Sequence, residues 1–323
     1  MNTPLMVTIR CTVYNHEPYI RECLEGFVMQ KTNFRFEAIV HDDASTDGSA
    51  AIIREYAEKY PDIIKPIYQT ENQYSKRDGS LRRILNEHTH GKYVALCEGD
   101  DYWIDPLKLQ KQVDFLEANE EYSMCFTNVD RYTQSTGVIE NNFFSDEISD
   151  EITSVEKYIE TAYWIAPCTW LYRWSFFDGF MEWIGSRRFA VGDLAVVSYL
   201  LSKGSVAFIN ETTAVYRIHS GGVSQNKQPR KAYEFATSVF NLQSYICETL
   251  LDKDVMVMAK IQEKFINSNL FLILSFEKKK EVMHLLNLSD LARIKGKEIK
   301  TTTIKRYYCL FALIAKLKYQ LFK

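Results

Sequence analysis

Three glycine-based signatures are missing from this 323-residue chain. No GxxxxGK[ST] stretch occurs, so phosphates are not cradled in a P-loop. No GxGxxG follows the first strand-like segment, which argues against dinucleotide redox chemistry. No GxSxG elbow is present to carry a nucleophilic serine. The seven cysteines are scattered and form no CxxC pair, so neither a zinc framework nor a disulfide framework is indicated. Several lie in apolar runs, as in Tyr93-Val94-Ala95-Leu96-Cys97, which suits buried free thiols in a reducing compartment. The longest late apolar run, Cys309 to Ala315, falls far short of the ~20 residues that a membrane span takes. The N-terminal segment lacks a basic stretch followed by an apolar one, so no secretory leader is expected.

What is present is an ordinary globular balance, with 46% hydrophobic and 25% charged residues, enough for a sizeable core. A net charge of −3 argues against a nucleic-acid binder. The charge is uneven, however. From Arg293 to Lys323 there are nine basic residues and one acid, Glu298, which points to an anionic partner for the tail.

The first half alternates strand and helix patterns. Met6–Val13, Phe36–His41, Ile63–Gln69, Tyr93–Cys97 and Met124–Val129 read as strands. Pro18–Gln30, Ser49–Lys59, Ser80–Glu87 and Pro106–Ala118 read as helices between them. Such alternation implies an α/β fold with a mostly parallel sheet flanked by helices. Ligands on these sheets sit beyond the carboxyl ends of the strands. Asn141–Ile152 reads as a surface loop, and Thr169–Tyr172, Val206–Ile209 and Thr213–Ile218 as further strands. From Pro229 onward nearly everything reads as helical, including Ala232–Leu251 and Val255–Phe276, so a boundary is placed at Gln228.

The strongest cluster is Glu98-Gly99-Asp100-Asp101, directly after a buried strand. Three carboxylates in four residues repel one another unless a cation or donors offset the charge. A magnesium or manganese ion bridging a diphosphate suits such hard oxygen ligands. The alternative is an acidic turn before the helix at Pro106, a task that Asp105 fills alone. The second cluster, Asp42-Asp43-Ala44-Ser45-Thr46-Asp47, also ends a strand. Asp43 suits the N–H of a base, since a carboxylate only accepts, and turn-and-cap service is an equal reading. Third, Arg10-Cys11-Thr12-Val13-Tyr14-Asn15-His16-Glu17 ends the first strand toward the same crevice, where Tyr14 and backbone groups would flank a base or ribose; the alternative is a plain strand-to-helix turn. Asp193 opens a helix, as an N-cap or as a general base. His219, where a strand meets Gly221-Gly222, is a loop histidine or part of a metal or phosphate site, with Arg217 nearby.

Taken in order, VTIRCTVYNHEPYIRECLEGFVMQ, FEAIVHDDASTDGS, KYVALCEGDDYWIDPLKLQKQVDFLE, VGDLAVVSYLL and YRIHSGG resemble the family 2 glycosyltransferases. The resemblance covers roughly Met6 to Val223. It implies a GT-A fold, Rossmann-like, over residues 1–228, with a nucleotide-sugar half (1–131), an acceptor half (132–228) and a helical, basic-tailed region (229–323). It implies donor binding by Thr12, Tyr14, Asn15, Asp42, Asp43, Glu98, Gly99 and Asp100. The family's DxD motif stands here as Glu98-Gly99-Asp100. Asp100, Asp101 and His219 would hold Mn2+ or Mg2+. Asp193 would be the catalytic base, although the family's Glu-Asp pair is Gly192-Asp193 here. The implied activity is inverting transfer from a nucleotide-diphosphate sugar, a UDP-sugar first, to a glycan or lipid-linked saccharide of the cell surface. The implied setting is cytoplasmic, peripheral at the inner face of the plasma membrane, with the tail on anionic lipid. Competing readings are a sugar nucleotidyltransferase, an aspartyl phosphatase and a degenerate nucleotide- or sugar-binding protein. The first wants a glycine-rich basic loop where Tyr14-Asn15-His16-Glu17 stands, and the second wants an absent DxDGT.

Overall fold

The computed structural model describes residues 4–145, 147–162, 164–221, 228–277, 279–286, 291–294, 297–306 and 308–320. The chain runs β1 (Leu5–Val13), α1 (Ile20–Val28), β2 (Arg35–Asp42), α2 (Ser49–Lys59), β3 (Ile64–Tyr68), α3 (Gln73–Lys76), α4 (Ser80–Glu87) and β4 (Tyr93–Leu96). It continues through β5 (Tyr102–Trp103), α5 (Lys108–Ala118), β6 (Tyr122–Thr133), β7 (Val138–Glu140), α6 (Ile148–Glu151), α7 (Val155–Thr161) and β8 (Trp170–Arg173). Then follow α8 (Phe180–Ile184), α9 (Gly192–Leu201), β9 (Ser205–Ile218), α10 (Pro229–Leu250), α11 (Val255–Phe276) and α12 (Lys279–Leu286). A hairpin, β10 (Leu291–Ile294) and β11 (Lys297–Lys300), precedes α13 (Thr301–Arg306) and α14 (Tyr308–Gln320).

Two compact units result, Met1–Ser154 with Trp164–Arg188 and Tyr199–Gly222, and Val155–Tyr163 with Phe189–Ser198 and Val223–Lys323. In the first, a nine-stranded sheet has the order β3-β2-β1-β4-β8-β6-β9-β5, with β7 on β6. β3, β2, β1 and β4 pair in parallel, as do β6 and β9. β1 is buried along most of its length because helices cover both faces, so it reads as a continuous apolar run rather than an alternation. Val206–Ile209 and Thr213–Ile218 form one strand, not two. A register shift opposite Thr127 and Asn128 takes up the polar residues between them, and Asn128 Nδ2 donates to Asn210 Oδ1 at 2.9 Å.

The second unit is built on α10 and α11 around Ile266, Leu270, Ile273, Leu274, Ile304 and Ala315, all nearly inaccessible to solvent. It gathers two segments from before Gln228. Gln243 Nε2 donates to the Ile159 carbonyl, Lys260 pairs with Glu160 at 2.6 Å, and Ser238 Oγ accepts the Ala190 N–H at 2.7 Å. The helical reading of this region is corrected at β10 and β11, which pair antiparallel. Ile299, a β-branched residue, packs on the apolar cluster from that hairpin. Residues 222–227, which hold the end of the glycine turn after His219, lie outside the described residues.

Candidate functional site

The loops after β1, β2 and β4 lie against one another at the carboxyl ends of the parallel strands. Asn15 and Ala44 both adopt left-handed backbone, at φ 56° and 63°. Asparagine tolerates this region through local hydrogen bonds, whereas alanine carries a strain of roughly 1–2 kcal/mol. The lacing that holds them is dense. Ser45 Oγ accepts the Asn15 N–H at 2.9 Å, and Asn15 Oδ1 accepts the Thr46 N–H at 2.8 Å. Asp47 accepts the N–H groups of Glu17 and Ser49, each at 3.0 Å, and Glu17 in turn accepts that of Gly48. The Asn15 side chain therefore faces the neighbouring loop, and Tyr14, 48% exposed, stands free beside it.

Asp43 is buried, and its two oxygens accept the N–H groups of Gln73 and Tyr74 at 2.6 and 2.9 Å. It thereby tethers the start of α3. Asp42 is equally buried, with Oδ1 unpartnered among the described residues. His41 is fully buried, and burial lowers its pKa, which keeps the ring neutral.

The acid loop follows from β4. The Gly99 N–H donates to the Thr12 carbonyl at 3.0 Å, which pins the loop to the end of β1. A Cβ at Gly99 would lie 2.9 Å from His16 Nδ1 and from Val13 Cγ2, so no side chain fits there. Glu98 stays exposed. Asp100 turns to two histidines, with Oδ2 at 3.0 Å from His219 Nε2 and 3.9 Å from His16 Nε2. Its Oδ1 is buried without a hydrogen-bond partner among the described residues. Burial lowers the His16 pKa, opposed by the Asp100 charge.

Asp100 and Asp101, interchangeable by sequence, are separated by the fold. Asp101 turns inward, is 4% exposed, and accepts the Arg217 N–H from β9 at 2.9 Å. Burial, then the adjacent Asp100 charge, push its carboxyl well up. Asp101 thus has one carboxylate oxygen engaged with β9, whereas Asp100 faces the histidines. Arg217 is engaged locally. It donates to the Asp100 carbonyl at 2.9 Å and to Gln134 at 2.8 Å, and it pairs with Glu22. His16 was missed as a member of this group, and its place next to Tyr14-Asn15 was the only signal for it.

The residues present fit a hard divalent cation. A buried, unpartnered carboxylate oxygen is costly, and a cation satisfies it. Among the described residues no group of three or more His, Cys, Asp or Glu is arranged to hold an ion alone. Magnesium commonly takes one or two carboxylates and completes its shell with phosphate and water, which matches Asp100, with His219 as a nitrogen donor beside it.

Asp193, in the first turn of α9, is described within the second unit. Its Oδ1 accepts the Leu194 N–H at 2.9 Å, and burial raises its pKa. Trp164 packs on Tyr216 and Trp183 on Tyr199, so both contribute to aromatic clusters.

Comparison with known proteins bears on the fold and the family. An uncharacterized protein of Mycobacterium tuberculosis is 36% identical over 220 residues, 65% of this chain and 58% of that protein, so the chain spans under two thirds of that relative's length. The putative teichuronic acid biosynthesis glycosyltransferase TuaG of Bacillus subtilis is 28% identical over 225 residues, 69% of this chain and 82% of that one. Among solved structures, S. aureus TarS 1-349 in complex with UDP-GlcNAc matches with a TM-score of 0.61 at 15% identity, covering 97% of this chain and 89% of that one. The mannosyltransferase PcManGT from Pyrobaculum calidifontis, in complex with GDP-Man and Mn2+, matches at 0.50 and 16%, covering 98% and 87%. At those identities the likeness shows the GT-A fold. The model for Glycosyl transferase family 2 matches residues 8–180, more than half of the chain, and the protein belongs to that family.

Proposed function

We propose that the protein transfers a sugar, with inversion, from a nucleotide-diphosphate sugar to a saccharide or lipid-linked saccharide of a cell-surface polymer. The observation that carries the reading is Asp100, with one oxygen beside His219 and the other buried and unpartnered. Asp100 and His219 would hold Mn2+ or Mg2+, which when bound neutralises the leaving diphosphate. Tyr14, with 48% of its surface exposed, stacks on the base or ribose, while Asp42, Asp43, Thr12, Asn15 and the Glu98-Gly99 backbone shape its pocket. Asp193 removes the proton from the acceptor hydroxyl. That oxygen attacks the anomeric carbon from the face opposite the leaving group, and the bond to the diphosphate breaks as the new one forms. A single displacement inverts the centre and needs no glycosyl-enzyme intermediate.

The likeness to TarS in complex with UDP-GlcNAc makes a UDP-sugar the first donor to test. Calorimetric titration with UDP, GDP and dTDP, with and without manganese, should give metal-dependent binding of one diphosphate that is lost in Asp100→Asn. Absence of binding by any of them in folded protein would favour a degenerate relative of the fold.

The tail fits an anionic lipid surface at the inner face of the membrane. Ala312 and Ala315 on α14 face the core, while Leu310, Leu313 and Ile314 are 54%, 55% and 36% exposed near Lys316. No helix among the described residues is long and apolar enough to cross a membrane. Such a face lies in the headgroup plane, helped by ~1 kcal/mol per basic residue. Sedimentation with phosphatidylglycerol vesicles should fall in Leu310→Glu/Leu313→Glu. Unchanged sedimentation would remove lipid from the reading.

A further inference from the structure

The face of the sheet beside α4 carries a charge arrangement that the proposed transfer does not use. Arg10 on β1 pairs in register with Leu96, the last residue of β4. It is 6% exposed. Its Nε donates to Thr89 Oγ1 at 2.8 Å, whereas Nη2 is buried with no hydrogen-bond partner among the described residues. The guanidinium lies 4.5 Å from the centroid of the Trp174 ring. Arg82, on α4, is half-buried, and its guanidinium lies 5.1 Å from the centroid of Phe180. It makes no hydrogen bond among the described residues.

The Tyr172 hydroxyl acts on both cations and Arg10 acts on Arg82, and no salt bridge to a carboxylate engages either among the described residues. Burial pushes both guanidinium pKa values down, and Arg10 adds to the effect on Arg82. Arginine nevertheless stays charged in proteins. Two like charges thus sit in a largely aromatic enclosure without a counter-charge, an arrangement that is costly unless something pairs with it. Guanidinium forks match carboxylate and phosphate oxygens in two-bond geometry, and the half-exposed Arg82 leaves a way in from solvent. The place is close to the acid loop. Thr12, whose carbonyl pins Gly99, is two residues along β1 from Arg10, a distance of ~6.6 Å at the rise of a strand.

We propose that Arg10 and Arg82, together with the Tyr172 hydroxyl, form a binding site for an oxyanion, a carboxylate or phosphate group. The group comes either from the ligand in the neighbouring crevice, as the carboxylate of an acidic sugar, or from a free anion. The free-anion arm of the test does not depend on the transferase reading.

The test follows thermal unfolding of the full chain in sodium phosphate, sodium glucuronate and sodium chloride of matched ionic strength. Wild type should melt several degrees higher in phosphate or glucuronate than in chloride. Arg82→Gln should lose that increment while keeping its midpoint in chloride, because the side chain supports no hydrogen bond. Arg10→Gln, read the same way, is the second variant. An increment of equal size in wild type and Arg82→Gln, or none in wild type, would overturn the site. A second arm compares UDP-glucuronate with UDP-glucose calorimetrically. A preference of about tenfold for the glucuronate that disappears in Arg82→Gln assigns the oxyanion to the donor sugar. Equal affinities, with the phosphate increment retained, assign it to a free anion.

Discussion

Two aspartates follow the strands that flank β1 on either side and are treated in opposite ways. Asp43, after β2, has each oxygen engaged by a backbone N–H of α3. Asp100, after β4, has one oxygen beside histidines and one with no partner among the described residues. The first carboxylate builds the wall of the crevice; the second leaves a valence open in it. Burial alone does not mark a ligand group. What separates the two is a buried carboxylate oxygen without a partner among the described residues, an atom that a donor or cation would stabilise.

The largest test of that contrast is Asp100→Asn. Transfer should fall by about a thousandfold, the scale of losing a main electrostatic contact at a leaving group, with the unfolding midpoint held. A comparable loss of stability would place Asp100 with Asp43 as a structural group and break the comparison. Asp193 sharpens it as a third carboxylate. Asp193→Asn should lower kcat by about a hundred- to ten-thousandfold. The base works deprotonated, and burial raises its pKa. The acid limb of the kcat profile should therefore lie above the ordinary carboxylate range, with activity lost as pH falls through it. A limb at the ordinary position, or full activity in the variant, would dismiss the assignment. The smallest effect is expected at Asp43. Asp43→Ala should cost about 1–3 kcal/mol in urea unfolding, since two buried N–H groups lose a charged acceptor. Unchanged stability would mean that α3 holds itself without the tether.

Much of the first unit was legible because period and punctuation agree there. Ser49–Lys59 and Ser80–Glu87 coincide with their helices, each with a glycine start, and in the second unit Val255–Phe276 does so behind Asp254. β9 was read as two pieces because Asn210-Glu211-Thr212 breaks the apolar pattern, and a bulge is invisible when only one strand is read. The hairpin at Leu291–Lys300 was lost in a basic stretch whose charge obscures its alternation. Within the site, the spacing of the acids placed Glu98 to Asp101 correctly at a strand end. It did not reveal which way each one turns, since that depends on β9 arriving more than a hundred residues later. Lys108 shows the same limit. Nothing about a lysine in an amphipathic helix signals that it is fully buried, donates to Gln112 at 2.6 Å and has its pKa brought down by burial to about 8.

The Arg217 clamp also bears on how the protein is made. It joins Glu22, the Asp100 carbonyl and Gln134 through one side chain, over sequence separations of 195, 117 and 83 residues. A ribosome delivers these parts in order, and the parallel strands can pair well before residue 217 leaves the exit tunnel. Until then Asp101 lacks its β9 donor and the acid loop has no brace from that side. A half-synthesised chain therefore presents a sheet without a finished crevice, and the crevice itself is completed late in translation.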